Sequence, residues 1–435
     1  MKRILLLLVV LIVASTVLFA GGNRAQANQG SNVVRWSFWG GEGRIRNYQL
    51  TNDIFFEATG ITIAGEPAPG TDQHFNKFRT QFAGGMAADI IQLGGYFSNL
   101  GMNDDGRSAP GVEDLLLPLD PFVRSGVLDI SNIDKAALDA GTRDGVLYAI
   151  SAGTNMPALV YNRSLLERVG APLPRVNMTW AEFDTWLRQV QARLPAGTYA
   201  MTDNGATTTG SVFFGYWCGD NGTPMWDGSR THLTAPIIQR YFDMWSGWRS
   251  AGVIPPAAIA ADFAETNEAT SSLIAGRTAL SFIWSNMLNG YQAATNDTLD
   301  LIMLPNAAVS NGLWAQMSQM MGINKNARNP QGAAQYINFR VNDPRVWTIM
   351  GADPGVPVTP ATRAAVAANA TPVTERIVRY LDVAGRHASP PNPNMPNDTE
   401  WNSGLHLIYQ QAAYGRITNT VAAQQVMDLI NRLAR

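Results

Sequence analysis

Flat rings set among amides, where apolar runs end, are the groups in this chain best suited to chemistry. The chemistry they suit is recognition of a neutral, hydroxyl-rich ligand. Trp39 closes the run VVRWSFW (33–39) and is followed by Gly40-Gly41, and Trp284 closes ALSFIW (279–284) ahead of Ser285 and Asn286. Trp217 lies in VFFGYWCGDNG (212–222), before a Gly-Asp-Asn-Gly turn. Gln92 stands at the end of ADIIQL (88–93), Asn155 ends the polar knot SAGTN (151–155), and Asp203 ends YAMTD (199–203). Such polar groups can pair with ligand hydroxyls, and a buried pairing left unmade costs about 1–3 kcal/mol, which is what makes a polar site selective. Arg44, just after Gly40-Gly41, adds a guanidinium that could fork onto a carboxylate if the ligand is a uronate. Each residue also has an ordinary reading: rings as core, amides as turn partners, Arg44 as a solvated residue at a helix start.

Bond-breaking chemistry is harder to assemble. A glycosidase needs two carboxylates flanking the scissile bond. Asp104, Asp105, Asp114 and Asp262 exist, but none sits at a strand end with a recognisable partner. The histidines, His74, His232, His387 and His406, are too scattered for HExxH zinc ligation, and no GxSxG elbow occurs. Cys218 has no histidine near it in sequence and reads as a buried thiol. No catalytic residue, metal or cofactor is expected.

The positioning elements centre on GVLYAISAGTNMPALVYNR (145–163). Two short β-branched and aromatic runs flank the polar knot without a tight turn, as expected for a strand crossing between two lobes. A cleft between lobes is a common place for a small ligand. Strand 33–39, a Gly-rich turn and a helix over 45–59 form the opening unit of an open α/β sheet, though the turn lacks GxGxxG spacing. Ligands of such sheets bind beyond the carboxyl ends of the strands, which places Trp39, Arg44, Gln92 and Tyr96 at one rim. A strand over 61–64, a helix over 75–84 and a buried parallel-type strand over 88–93 continue the alternation. Thr179 and Glu182 make a capping box for the next helix. Strands are expected at 199–203 and before Trp284, and an aromatic-rich helix at 235–250. Residues 301–323 offer a second crossing, and GADPGVPV (351–358) is irregular backbone where a helix must stop.

The first residues and the composition limit the setting. Lys2 and Arg3 precede an apolar run over 4–19, shorter than the ~20 residues a spanning helix needs. Small residues follow at Ala20-Gly21-Gly22 and again at Ala25 and Ala27, so residues 1–27 read as a secretory signal peptide cleaved after 20 or 27. No cysteine follows the run to accept a lipid. Charged residues make up only 15% and net charge is −2, leaving no basic stripe for nucleic acid. A single cysteine permits no internal disulfide. Twelve Trp and twelve Tyr in so weakly charged a chain agree with a neutral ligand.

With these pieces in order, the chain resembles the extracellular solute-binding proteins of bacterial ABC importers, in the sugar-binding branch that includes maltose-binding protein. The matching stretches are WSFWGG (36–41), FAGGMAADIIQL (82–93), the 145–163 crossing, WAEFDTWL (180–187), AGRTALSFIWSN (275–286), 317–324, AAQYINFRVNDP (333–344) and GVPV (355–358). The resemblance implies an α/β protein of two lobes, each a mostly parallel sheet flanked by helices, joined by a hinge of several crossings. Lobe one would take 33–151 plus 316–357 and lobe two 152–315 plus 358–435. It implies stacking of a sugar on cleft tryptophans, with Trp284 at the expected motif position and Trp401, shortly after Pro393-Asn394-Met395-Pro396, at a second one. The partners it implies are a sugar or oligosaccharide and a membrane permease, with the protein a monomer outside the cytoplasm. A secreted carbohydrate-active enzyme, or a binder of a polyol or other non-sugar solute, remains the alternative.

Overall fold

The computed structural model describes residues 32–97, 111–205, 210–265, 268–306, 313–388, 395 and 398–434. The expected leader, Asp104, Asp105 and nearly all of the proline-rich stretch 390–396 lie outside the described residues. No helix among the described residues is long and apolar enough to cross a membrane.

Thirteen strands are named among the described residues: β1 (Val33–Trp39), β2 (Thr62–Ala68), β3 (Ile90–Leu93), β4 (Thr142–Arg143), β5 (Val146–Leu147), β6 (Ala149–Ile150), β7 (Gly153–Asn155), β8 (Pro157–Asn162), β9 (Leu280–Trp284), β10 (Leu299–Ile302), β11 (Gln316–Ser318), β12 (Met320–Ile323) and β13 (Val356–Pro357). The first large sheet has the order β2-β1-β3-β12-β6, and a second has the order β10-β8-β9. A third, β11-β7-β13, is a small sheet of three short strands. The chain passes from β6 through β7 into β8, and returns from β11 into β12, so the small sheet lies on the connections between the large ones.

Pairing departs from the expected mostly parallel pattern. β1 runs parallel to β2 and β3, but β12 is antiparallel to β3 and β6. In the second sheet β8 is antiparallel to both β9 and β10, with parallel bridges only at Thr179–Asn306 and Tyr199–Thr278. The reason is directional. The crossing strand β8 carries the chain away from the small sheet, and β9 and β10 run the other way beside it.

Each large sheet organises its own apolar core. The first contains Trp36, Phe38, Tyr48, Phe55, Tyr336, Phe339 and Trp347. Its Arg340 is also buried, lying over the rings of Trp36 and Tyr48, with Nη1 donating to Thr51 at 3.1 Å. The second core contains Phe213, Phe214, Tyr241, Trp245, Trp248, Phe282 and Tyr409. Val358 and Val366 join the first core although the sequence reading gives 358–435 to the second lobe, because the helix Pro360–Ala368 packs on Pro344–Met350.

Local sequence explains the helix starts. Thr179 Oγ1 accepts from the Glu182 amide while the Glu182 carboxylate accepts from the Thr179 amide at 2.8 Å, the reciprocal cap expected. Four later helices open with a capping Asn, Asp or Thr directly before proline: Asn329-Pro330, Asp343-Pro344, Thr359-Pro360 and Thr371-Pro372. Proline loses nothing there, since the first helical amide has no partner inside the helix. Two expectations fail in the second lobe. Residues 199–203 form only one isolated bridge, and 212–222 falls largely in a helix, Gly210–Asp220, whose rings face the core.

Candidate ligand-binding site

The small sheet is built from the three stretches in which crossings or irregular backbone were expected. Gln316 of β11 pairs with Asn155 of β7, and Val356 of β13 pairs with Thr154. Ser151 Oγ donates to Ser318 O at 2.9 Å, and Ser318 Oγ donates to Pro354 O, so hydroxyls tie the three stretches together. Gly355 has φ +115°, and a Cβ there would stand 2.8 Å from Asn155 Oδ1 and from Thr154 O. Only glycine accepts that backbone at that distance.

Around this sheet stand amides whose hydrogen bonds are incomplete among the described residues. Gln92 is wholly buried, yet neither Oε1 nor Nε2 has a partner. Asn155 Oδ1 and Asn286 Oδ1 are buried and unpaired as well. Interiors rarely leave such atoms unsatisfied, so each calls for an explanation. By contrast the Gln92 backbone is held firmly: His74 Nε2 lies 2.8 Å from its carbonyl oxygen. Burial lowers the His74 pKa to about 4, so the ring is neutral near pH 7. The tautomer that satisfies both sides donates from Nε2 to Gln92 and accepts at Nδ1 from Ser37 Oγ, 3.4 Å away. The His74 ring also backs Trp39, with centroids 5.2 Å apart.

The tryptophans divide by exposure. Trp39, Trp284 and Trp314 are half-buried, and Trp284 meets Trp314 edge to face at 6.2 Å. Trp314 Nε1 donates to Gln316 Oε1 at 3.0 Å, joining this ring pair to the small sheet. Trp217 and Trp401 are elsewhere. Trp217 is buried against Tyr241, and Trp401 is buried against Phe214, both in the second core. Their expected places at a cleft edge give way to packing: each lies on a helix, on the face turned inward.

Arg44 and Asn286 converge on a residue that sequence reasoning passed over. Arg44 Nε lies 2.7 Å from Asp353 Oδ2 and Nη2 lies 3.0 Å from Oδ1, a two-pronged fork. Asn286 Nδ2 donates to the Asp353 carbonyl at 2.8 Å. Asp353 thus joins the first helix, Glu42–Thr59, to the turn after β9 in the second lobe. Burial of Arg44 opposes its charge, but Asp353 more than offsets this and raises its pKa, with Tyr48 and Glu268 adding to the rise. Gln319, at φ 48°, bridges the same group. In the amide orientation that satisfies both neighbours it donates to Tyr48 Oη at 2.7 Å and accepts from Arg44 Nη1 at 3.1 Å.

Asp203 is not among this group. Its Oδ2 takes the Arg249 guanidinium at 2.5 Å, and its Oδ1 takes the Tyr409 hydroxyl and the Gly205 amide. The expected hydroxyl partner is a buried ion pair that holds the helices Ala235–Ser250 and Asp398–Ala413 to the 203–205 turn. The structure therefore gathers Trp39, Arg44, Gln92, Asn155, Trp284 and Asn286 around the small sheet, and it adds His74, Trp314, Gln316, Gln319 and Asp353. Trp314 and Gln316 carried a usable signal: ring and amide two residues apart at the entry to a crossing strand. Asp353 is the sole charged residue of GADPGVPV, which was the other signal. Among the described residues no group of His, Cys, Asp or Glu could hold a metal ion.

The arrangement of two helix-flanked sheets joined by a small sheet of crossing strands, with unpaired amides beside that junction, is that of a two-lobe solute-binding protein. Residues 52–374 match the family model described as bacterial extracellular solute-binding protein, and the chain belongs to that family. Among solved structures, a periplasmic solute binding protein from Pectobacterium atrosepticum aligns with a TM-score of 0.79 at 19% identity, covering 92% of this chain and 98% of that one. An oligogalacturonide binding protein from Yersinia enterocolitica, in complex with saturated digalacturonic acid, aligns with a TM-score of 0.78 at 21% identity, covering 93% and 100%. An ABC substrate-binding protein from Listeria monocytogenes in complex with cycloalternan gives 0.76 at 16% identity, covering 92% and 98%. At these identities the likeness establishes the fold.

Proposed function

We propose that this protein captures a sugar or oligosaccharide between its two lobes and delivers it to the membrane permease of an ABC importer. The observation that carries the reading is the set of buried amide atoms without partners, on Gln92, Asn155 and Asn286, together with two half-buried rings: Trp284, two residues before Asn286, and Trp314, bonded to the Gln316 that pairs with Asn155. Ligand hydroxyls would complete those amides, while the apolar C–H face of a sugar ring packs on an indole. The oligosaccharides bound by the Yersinia and Listeria proteins support the same ligand class. Catalysis is not part of the proposal: the site offers amides and rings, and its one carboxylate fork, Asp353, is engaged by Arg44.

Residues 1–27 would direct export and be removed, leaving a monomer outside the cytoplasmic membrane with no lipid-bearing cysteine. The lobes would be the bodies around the two cores, with β7, β11 and β13 as hinge. A ligand that touches both lobes favours the closed form through its differential affinity, and the permease would read that closure. A thermal-shift screen of the mature protein against mono- and oligosaccharides tests the reading. A ligand that binds only the native state adds RT ln(1 + [L]/Kd), about 2.7 kcal/mol at a hundredfold excess over Kd. A raised midpoint with one saccharide class is expected. No shift with any saccharide, together with a shift from a polyol or other non-sugar solute, would overturn it.

A further inference from the structure

We propose that Asp353 sets the charge specificity of the site: by holding the Arg44 guanidinium in an internal fork, it reserves the cleft for uncharged ligands and turns sugar acids away. The inference rests on the reading that the cleft binds a saccharide, and it names which kind.

The geometry points one way. A guanidinium recognises a carboxylate through two parallel N–H donors, and Arg44 spends that fork on Asp353 at 2.7 and 3.0 Å. Its remaining donors face the Trp39 carbonyl at 3.4 Å and, across the turn, the Gln319 amide oxygen at 3.1 and 3.2 Å. Both partners are largely enclosed, with 15% of the Arg44 side chain and 25% of that of Asp353 exposed, so the pair is not a loose surface contact. A second carboxylate stands close by. Glu268 Oε1 lies 3.9 Å from where a Cβ on Gly41 would be, and its charge acts on Arg44. Two carboxylates around one guanidinium leave this end of the junction negative, which repels a uronate.

The unpaired amides suit a hydroxyl-rich ligand. Asn155 Oδ1 and Asn286 Oδ1 are acceptors and need donors. Hydroxyls of neutral and acidic sugars alike can donate to them, so the discrimination between the two falls to the charge around Arg44. Asn286 commits its own donor to the Asp353 carbonyl, so the residue that neutralises Arg44 also leaves the buried Asn286 amide with its acceptor unpaired.

The test is isothermal titration of the mature wild-type protein, Asp353→Asn and Glu268→Gln with paired neutral saccharides and their uronic acid counterparts, at pH 7.5 and low salt. Asp382→Asn, which removes an exposed carboxylate paired with Arg386, serves as the charge control. The wild type should prefer the neutral member of a pair by at least tenfold, equivalent to about 1.4 kcal/mol. Asp353→Asn should move the ratio at least tenfold towards the acid, Glu268→Gln should move it the same way by less, and Asp382→Asn should leave it unchanged. Should Asp353→Asn not fold, the wild-type ratio and the Glu268→Gln shift still decide the matter. A wild type that binds uronates as well as neutral sugars overturns the inference and leaves the saccharide reading standing. A wild type that binds neither member of any pair overturns both.

Discussion

The indoles of Trp284 and Trp314 meet edge to face, with centroids 6.2 Å apart and planes at 80°. One closes a strand of the second lobe and the other stands just before a strand of the small junction sheet. Together they make a right-angled apolar corner, and Gln316 is fixed behind it by the Trp314 N–H. On the proposed reading, a sugar ring set into such a corner would have a floor and a wall.

The corner gives the first prediction. Trp284→Ala should weaken saccharide binding by roughly ten- to a hundredfold, about 1.4–2.8 kcal/mol on the usual conversion. Because the ring is half-buried at a strand end, the melting temperature without ligand should change by only a few degrees. Calorimetric titration beside a melting curve checks both halves. An affinity within twofold of wild type would remove Trp284 from the site.

Asp203 should behave in the opposite way. Its carboxylate and Arg249 are both largely enclosed, at 5% and 15% side-chain exposure. Asp203→Asn leaves a buried guanidinium without its counter-charge, a change that costs roughly 3–5 kcal/mol. Urea unfolding should show a loss of that order, while the ligand affinity of the folded fraction stays within about threefold. A large loss of affinity with unchanged stability would return Asp203 to the list of ligand contacts.

His74 predicts a pH dependence. Its pKa is near 6.5 unfolded and falls to about 4 in the fold through burial. Between those values the unfolded chain binds the extra proton, so stability rises with pH across the window. The contribution is fully present above about pH 6.5 and is lost as pH falls towards 4. A shift of this size corresponds to ~3 kcal/mol. Chemical denaturation at pH 7 and pH 4.5 should show that slope in the wild type and a shallower one in His74→Gln. Equal slopes would mean that another group governs acid sensitivity.

Gly355→Ala tests the hinge. The new methyl would meet Asn155 Oδ1 and the Thr154 backbone within 3 Å, at a φ of +115° that side chains avoid. We expect a loss of about 1–3 kcal/mol in stability from the strain. Saccharide affinity should fall with it, since Asn155 must shift. Normal affinity in a destabilised variant would show that the Asn155 amide is not part of the site.

Much of this architecture was legible in the sequence where the signal is local. Strand Val33–Trp39, the Thr179–Glu182 cap and the helix Ala235–Ser250 appear as read, because alternation, capping chemistry and helical periodicity act over a few residues. The stretch 212–222 misled for a physical reason. Its aromatic content suggested an edge for ligand contact, but on a helix those rings turn inward to fill the second core and carry Trp217 with them. Trp401 met the same fate on Asp398–Ala413. Arg44 shows the deeper limit. Its partner lies 309 residues away, and only the fold reveals that its fork is already taken. Exposure was the missing quantity for the rings, and long-range pairing was the missing quantity for the charges.

The most direct measurement is a crystal structure of the mature protein with the saccharide that the thermal screen selects. The account predicts a sugar between the lobes, one ring against Trp284 and hydroxyls within about 3.2 Å of Asn155 Oδ1, Asn286 Oδ1 and the Gln92 amide. A saccharide bound elsewhere, or one in the cleft that leaves those amides unpaired, would contradict it.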